Sequence, residues 1–432
     1  MRQLITVAFF ILALAFPSAN QNTPAKSVDW RQWGGPNRNF ISDATGLASS
    51  WPAEGPPVLW TRPLGLGHSS IVVDDGRLYT MYRSGKQISK QGPWENEEVV
   101  ISMDAATGKT LWEHKYPSAS ADFSYGAGPH ATPLVVGRLA FTAGTRKVIH
   151  AFDKSTGRVV WSHDLVKEYG ATPLLVRAPV KAGYAVSPLA YNDTIIVPAG
   201  GPGQAVMAFR QSDGHLVWKA GDFLISEASP ILINVDGQTQ LVVFGGETVN
   251  GLDPATGAML WSHPHNTDMD MNNSTPNWGA DNILFVSSAY NLGSRGLRLA
   301  QRGGKTTVDE LWFNGQMQLS FQNAVRIGGY IYAAHGSFGP AFFTAVDAAT
   351  GKTMWRHRGF GKSSLIYADG KAIIIDEDGD LALATLSPEG MNVLSQAKIF
   401  DTVSWTVPTL VGTTLYARDR EKVVALDLAA RK

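Results

Sequence analysis

Four stretches of this chain are near copies of one short phrase: MDAATGKTLW (Met103 to Trp112), FDKSTGRVVW (Phe152 to Trp161), DPATGAMLW (Asp253 to Trp261) and DAATGKTMW (Asp347 to Trp355). A phrase that returns at a regular interval specifies a repeated structural unit, so it takes precedence over length in setting the architecture. With the closing Trp as a ruler, Trp112, Trp161, Trp218, Trp261, Trp312 and Trp355 follow one another at 49, 57, 43, 51 and 43 residues. That interval suits four short strands and three turns, the content of one β-propeller blade.

The segments between copies support strands. GRLAFTAG (Gly137 to Gly144), DTIIVPAGG (Asp193 to Gly201) and GGYIYAAHG (Gly328 to Gly336) are short β-branched or aromatic runs closed by Gly. Within the phrase, Asp104 and Thr107 can bond backbone amides of a turn, and Gly108 can take the positive φ that a tight reversal demands. The Trp that ends each copy offers a flat face to the next blade and an N–H for a backbone carbonyl, so Trp112, Trp161, Trp218, Trp261, Trp312 and Trp355 read as staples between blades.

An earlier element recurs at HATPLVVGRLAF, AVSPLAYNDTIIV, EASPILINVDGQTQLVV, NSTPNWGADNILFV and WTVPTLVGTTLY, with weaker copies from His68, Gln322 and Lys362. Eight units result, each starting with an innermost strand. The eighth stops at Val423 to Leu428 without a return strand, whereas PPVLWTRPL at the other end of the chain carries Trp60 and no unit of its own. The expected fold is therefore all-β: an eight-bladed β-propeller of four-stranded antiparallel blades, closed by pairing the N-terminal strand around Trp60 with the C-terminal strands. Closure removes the exposed edges of a linear array. A single propeller over residues 28–432 follows, with 1–25 as signal peptide and leader.

That leader rests on MRQLITVAFFILALAFPSANQNTPA, where Arg2 precedes an apolar run from Leu4 to Phe16 and then small and polar residues. The run is short of the roughly 20 apolar residues of a membrane span. A periplasmic or secreted monomer is expected, with no membrane span in the mature chain. Lys plus Arg and Asp plus Glu are both 37, so no net field favours nucleic acid. There is no cysteine, which excludes disulfides, thiolate metal sites, a cysteine nucleophile and lipid attachment through cysteine.

The A-x-D-x-x-T-G-K-x-x-W phrase resembles the repeat of the PQQ-like β-propellers, a family that includes quinoprotein alcohol dehydrogenases and outer-membrane assembly lipoproteins of the BamB type. The likeness runs from about Trp30 to Leu428, and the opening WRQWGGPNRNFISDATGLASSWPAEGPPVLW is similar to that of secreted bacterial PQQ-like repeat proteins. For the dehydrogenases the resemblance implies a quinone on the propeller axis between a Trp and a disulfide of adjacent cysteines, a calcium ion and an Asp base. The cysteines are missing here.

Two functions are weighed. In the first, the chain is a non-catalytic binding platform in the cell envelope, meeting an envelope protein or small ligand at its rim or funnel, without a cofactor. In the second, it is a PQQ- and calcium-dependent alcohol or sugar dehydrogenase, with Trp278 or Trp405 stacking on the quinone. Aligned inner strands place His68, His130, Ala185, Glu227, Asn273, Gln322, Lys362 and Trp405 in one column around the channel, with Trp278 and Arg326 as neighbours. Unlike residues in equivalent places of like blades are where a ligand would be read. Other constellations favour structure: Asp268, Asp270 and Asn272 lack the Gly and Glu of a calcium loop; Asp376, Asp378 and Asp380 surround a hairpin turn; and His263 and His265 have no third metal ligand.

Overall fold

The computed structural model describes residues 29–430 except 85–96, 119–123, 174, 178–179, 291 and 337–340. The expected signal peptide lies outside the described residues. Eight four-stranded antiparallel sheets follow one another around a ring. Blade 1 is built from Val72–Asp74, Arg77–Ser84, Glu97–Asp104 and Thr110–Pro117, and blades 2 to 7 repeat this order over 134–164, 189–220, 231–264, 277–314, 324–358 and 364–398. A two-stranded hairpin, Leu175–Arg177 with Val180–Ala182, is inserted between blades 2 and 3, and the single helix among the described residues is the short Leu165–Tyr169.

Blade 8 takes three strands from the C-terminus (Thr409–Val411, Thr414–Arg418, Lys422–Asp427) and its outermost strand, Val58–Pro63, from the N-terminal region. Thr61 faces Val424 and Arg62 faces Val423 in antiparallel register. The closure expected from the displaced Trp60 is thus the one found. A second bond locks the ring near its axis, where Thr409 Oγ1 donates to Ile71 O of blade 1 at 2.5 Å. Arg418, almost fully buried, reaches from blade 8 into the first unit, donating to Met81 O at 2.8 Å and Gly65 O at 3.0 Å. A buried guanidinium is tolerable only when its donors find such acceptors.

The phrase that defined the period forms the third and fourth strands of the blades that carry it. Asp104 Oδ1 accepts from Thr107 N at 2.8 Å, and Gly108 has φ +67°. Trp112 Nε1 then donates to Lys154 O, 2.9 Å away in the corresponding turn of blade 2. Trp60, Trp161, Trp218, Trp312 and Trp355 make the same bond to Ala105, Gln211, Pro254, Ala348 and Ser387. Between blades lie the apolar layers: Ile101 and Met103 of blade 1 share one cluster with Leu415 and Val423 of blade 8.

The N-terminal segment does more than lead into the closing strand. Trp30 O accepts from Val73 N and Arg31 O from Val135 N, both at 2.8 Å. Arg38 Nη1 donates to Pro188 O at 3.0 Å, Phe40 O accepts from Tyr367 N at 2.9 Å, and Ala48 N donates to Leu428 O at 2.8 Å. Residues 30–48 therefore run across the inner strands of blades 1, 2, 3 and 7 and reach the end of the third strand of blade 8. This strap closes one mouth of the central channel.

Candidate functional site

Above the strap the channel widens into a cavity of about 120 Å³. Its walls come from the residues just before each inner strand: His68, His130, Ala185, Glu227, Asn273 and Trp405. They converge because like positions of eight radially arranged strands face one axis. Two residues further along, Ser187, Ser229, Thr275 and Val407 form a lower tier, since alternate residues of a strand share a face. Trp33 of the strap forms the floor, held by a 2.8 Å bond from Nε1 to Thr275 Oγ1.

The lower tier explains why the walls hold their register. Ser70 N donates to Thr132 Oγ1 at 3.2 Å, Thr132 N to Ser187 Oγ at 3.0 Å, and Ser187 N to Ser229 Oγ at 3.0 Å. Each inner strand of blades 1 to 3 thereby hands a backbone donor to the next blade's hydroxyl. Asn323 does similar work between blades 6 and 7, accepting from Leu365 N at 3.0 Å and donating to Leu365 O at 2.6 Å.

The upper tier is mostly aromatic. The His68 ring stacks on His130 with centroids 5.5 Å apart and lies 5.3 Å from Trp405; Phe321 approaches Trp405 to 4.8 Å. Tyr125 leans on Phe321 and shares a hydroxyl contact with Tyr290. Arg420 stands behind this wall, with its guanidinium 5.1 Å from the Trp405 ring and Nε 3.4 Å from His68 Nε2. Burial, the neighbouring His130 and Arg420 hold His68 well below the ordinary imidazole range, and burial lowers His130 to about 4. Both imidazoles are neutral at physiological pH.

Glu227 is the one carboxylate in the lining among the described residues. It is 7% exposed, its Oε2 accepts from Ala185 N at 2.6 Å, and burial pushes its carboxyl up to about 7 despite the field of Lys147. Lys147 is itself buried and lowered to about 8 by desolvation; its Nζ donates to Ala199 O at 2.7 Å and lies 5.5 Å from the Tyr184 ring.

Not all of the column reaches the cavity. Gln322 turns inward, its Oε1 accepting from Ser320 N at 2.8 Å, and the preceding Phe321 takes the wall. Lys362 pairs with Glu377 at 3.0 Å, whose Oε2 also accepts from Trp405 Nε1 at 3.3 Å, so Lys362 acts on the wall only through Glu377. Trp278 lies outside the lining because it is an odd number of residues beyond Asn273 and packs between blades instead. Arg326 is at the far end of its strand, paired with Asp281 at 2.7 Å. Trp33, Tyr125, Met271 and Phe321 are lining residues that the aligned column did not include. The Ser/Thr ladder had a visible signal, the recurrence of a hydroxyl two places after the column in HSS, HAT, AVS, EAS, NST and KSS.

The acidic and imidazole groups considered for metals have other employment. Asp376 Oδ1 accepts from Asp378 N at 3.1 Å and Asp380 N at 2.9 Å, which is a turn. Asn272 Nδ2 donates to Gly245 O at 2.6 Å, anchoring its loop, and His265 Nε2 meets Ser288 Oγ at 2.9 Å in the interior. No group of three or more potential metal ligands occurs among the described residues.

The family described as outer membrane protein assembly factor BamB matches residues 96–333. This chain belongs to that family. It is 21% identical over 373 residues to the outer membrane protein assembly factor BamB of Yersinia pestis, covering 85% of this chain and 77% of that one. The structure of BamB from Moraxella catarrhalis superposes with a TM-score of 0.58 at 17% identity, covering 88% of this chain and 99% of that one. The quinohemoprotein alcohol dehydrogenase of Comamonas testosteroni gives 0.60 at 12% identity, covering 94% and 81%. At such identities the likeness to solved structures is one of fold, and one fold hosts both assembly factors and enzymes. No helix among the described residues is long and apolar enough to cross a membrane.

Proposed function

We propose that this protein is an exported, non-catalytic binding platform of the cell envelope that presents its cavity-bearing face to an envelope protein or small ligand. The observation that carries this reading is the composition of the cavity. Six of the lining residues carry aromatic rings, and several of its polar groups hold backbone: Ser187 and Ser229 hydroxyls receive backbone N–H groups and Glu227 receives Ala185 N. General acid–base or nucleophilic catalysis calls for a second group within hydrogen-bond reach of the first. Membership of the BamB family favours a role in assembly at the envelope over metabolism, and the apolar N-terminal run favours export.

The same walls bear on a quinone-dependent dehydrogenase. A quinone could stack on Trp405 or Phe321, but its calcium would need about six to eight oxygen ligands. Glu227 is the sole carboxylate in the lining among the described residues. The residues present do not fit calcium-assisted quinone chemistry.

The reading is checked by cross-linking the full chain in intact envelopes and identifying its partners in parallel with the His130→Ala, Glu227→Ala and Trp405→Ala variants. Loss of the wild-type partners without a lowered melting temperature is expected. Dye reduction by the purified protein on adding PQQ, Ca²⁺ and an alcohol would overturn it.

A further inference from the structure

Blades 4 and 8 stand half a turn apart in an eight-membered ring, so Glu227 and Trp405 occupy opposite walls of the cavity. Behind Trp405 and His68 lies Arg420, which forms no ion pair with a carboxylate among the described residues. Glu227 also lacks an ion-pair partner there: Lys147, the cation that senses it most, spends its ammonium on Ala199 O. One wall therefore ends in an unpaired carboxyl, and an unpaired guanidinium stands behind the opposite wall, against His68 and Trp405. The space between is lined by Phe321, Trp405 and Tyr125.

Unpaired charge in a desolvated setting is costly, and a ligand that supplies the missing partners recovers that cost on binding. An anion alone would satisfy Arg420 and meet Glu227 unfavourably, and a cation alone would do the reverse. We propose that the cavity takes a zwitterion, a compound of the amino-acid or short-peptide class. Its ammonium lies at Glu227, its carboxylate at His68 in the field of the Arg420 guanidinium behind it, and its apolar part against Phe321 and Trp405. An ammonium favours the carboxylate form of Glu227 and the aromatic faces around it. The Arg420 guanidinium attracts a carboxylate held in front of His68. This deepens the platform reading and rests on the cavity being its ligand seat.

The test is calorimetric titration of the full chain at pH 7.5 with L-phenylalanine, the dipeptide Gly-L-Phe, 2-phenylethylamine and 3-phenylpropionate. At least one zwitterion should bind about tenfold or more tighter than either singly charged probe, the size of one good charge-assisted contact. Glu227→Gln should remove the zwitterion's advantage over 3-phenylpropionate, whose own binding should not weaken. Arg420→Gln should bring it to the level of 2-phenylethylamine. Equal binding of all four, tighter binding of a singly charged probe, or no binding of either zwitterion overturns the proposal. If it falls while the alanine variants still lose their envelope partners, the platform reading stands and only the ligand class is wrong.

Discussion

Glycine in the repeated phrase answers to two demands at once. Gly157 has φ +73°, and a Cβ added there would stand 2.5 Å from Cδ2 of Trp112 in the preceding blade. Gly108, Gly214, Gly257 and Gly351 sit in the same way on Trp60, Trp161, Trp218 and Trp312. The need for a left-handed turn was legible in D-x-x-T-G, whereas the stacking was not, since it joins side chains a whole blade apart. The demands can be separated. Gly137 has φ +55° with open space around it, so Gly137→Ala should cost only about 1–2 kcal/mol for the left-handed backbone. Gly157→Ala should cost about 2–4 kcal/mol, because overpacking against the indole is added. Urea denaturation of both variants reads the difference, and equal costs would mean that the ring yields freely. Glu227 supplies a prediction of another kind. Its carboxyl is raised from an ordinary 4.5 to about 7, so the unfolded chain ionises first and the folded protein loses stability as pH rises between those values. Glu227→Gln removes that loss. Its advantage over the wild type should be absent at pH 4 and reach on the order of 3 kcal/mol at pH 8, seen as a rise in melting temperature at the higher pH alone.

Among elements, the exception to the staple is as informative as the rule. Trp261 closes blade 4, but its Nε1 donates at 2.7 Å to Gln240 Oε1 in its own blade. The next blade explains this. Its outer hairpin joins two ten-residue strands, Gly293–Arg302 and Lys305–Asn314, through Gly303 and Gly304, and so carries its turn away from Trp261. Blade 5 also lacks the Asp-x-x-Thr-Gly turn in sequence, reading QRGGKTTVDELW before Trp312, so the break in the staple could have been read from the chain. The strap could not. WRQWGGPNRNF looks like a polar loop, and only long-range bonds such as Trp33 to Thr275, 242 residues away, make it the floor of the channel. The same limit governed the cavity walls. Inner-strand alignment placed His68, His130, Glu227, Asn273 and Trp405 together, because repetition converts sequence position into angle around an axis. Trp278 and Arg326, taken as neighbours of the column, lie further along their strands, and Tyr125 and Arg420 come from loops and turns that no alignment of inner strands includes.

For the whole molecule, ring closure is the property on which everything else depends, since a cavity at the axis of the ring exists only while the first and last blades remain paired. Seven blades are continuous in the chain, and the eighth is held by Val58–Pro63 against Lys422–Asp427. That seam brings together residues more than 350 positions apart at the cost of a long closed loop, whose entropy grows only slowly with its length. A covalent bond across the seam removes most of that freedom from the unfolded state. Thr61 and Val424 face each other directly, antiparallel partners lie within the Cα range a disulfide tolerates, and the chain has no other cysteine to compete. The Thr61→Cys/Val424→Cys variant should therefore cross-link in one species on oxidation. Its oxidised form should exceed its reduced form in stability by roughly 3–5 kcal/mol, read as a higher melting temperature that a reductant reverses. If oxidation gave only intermolecular dimers, the register at the seam would be wrong. If the pair closed without raising the melting temperature, the N-terminal strand would not be what holds the ring shut.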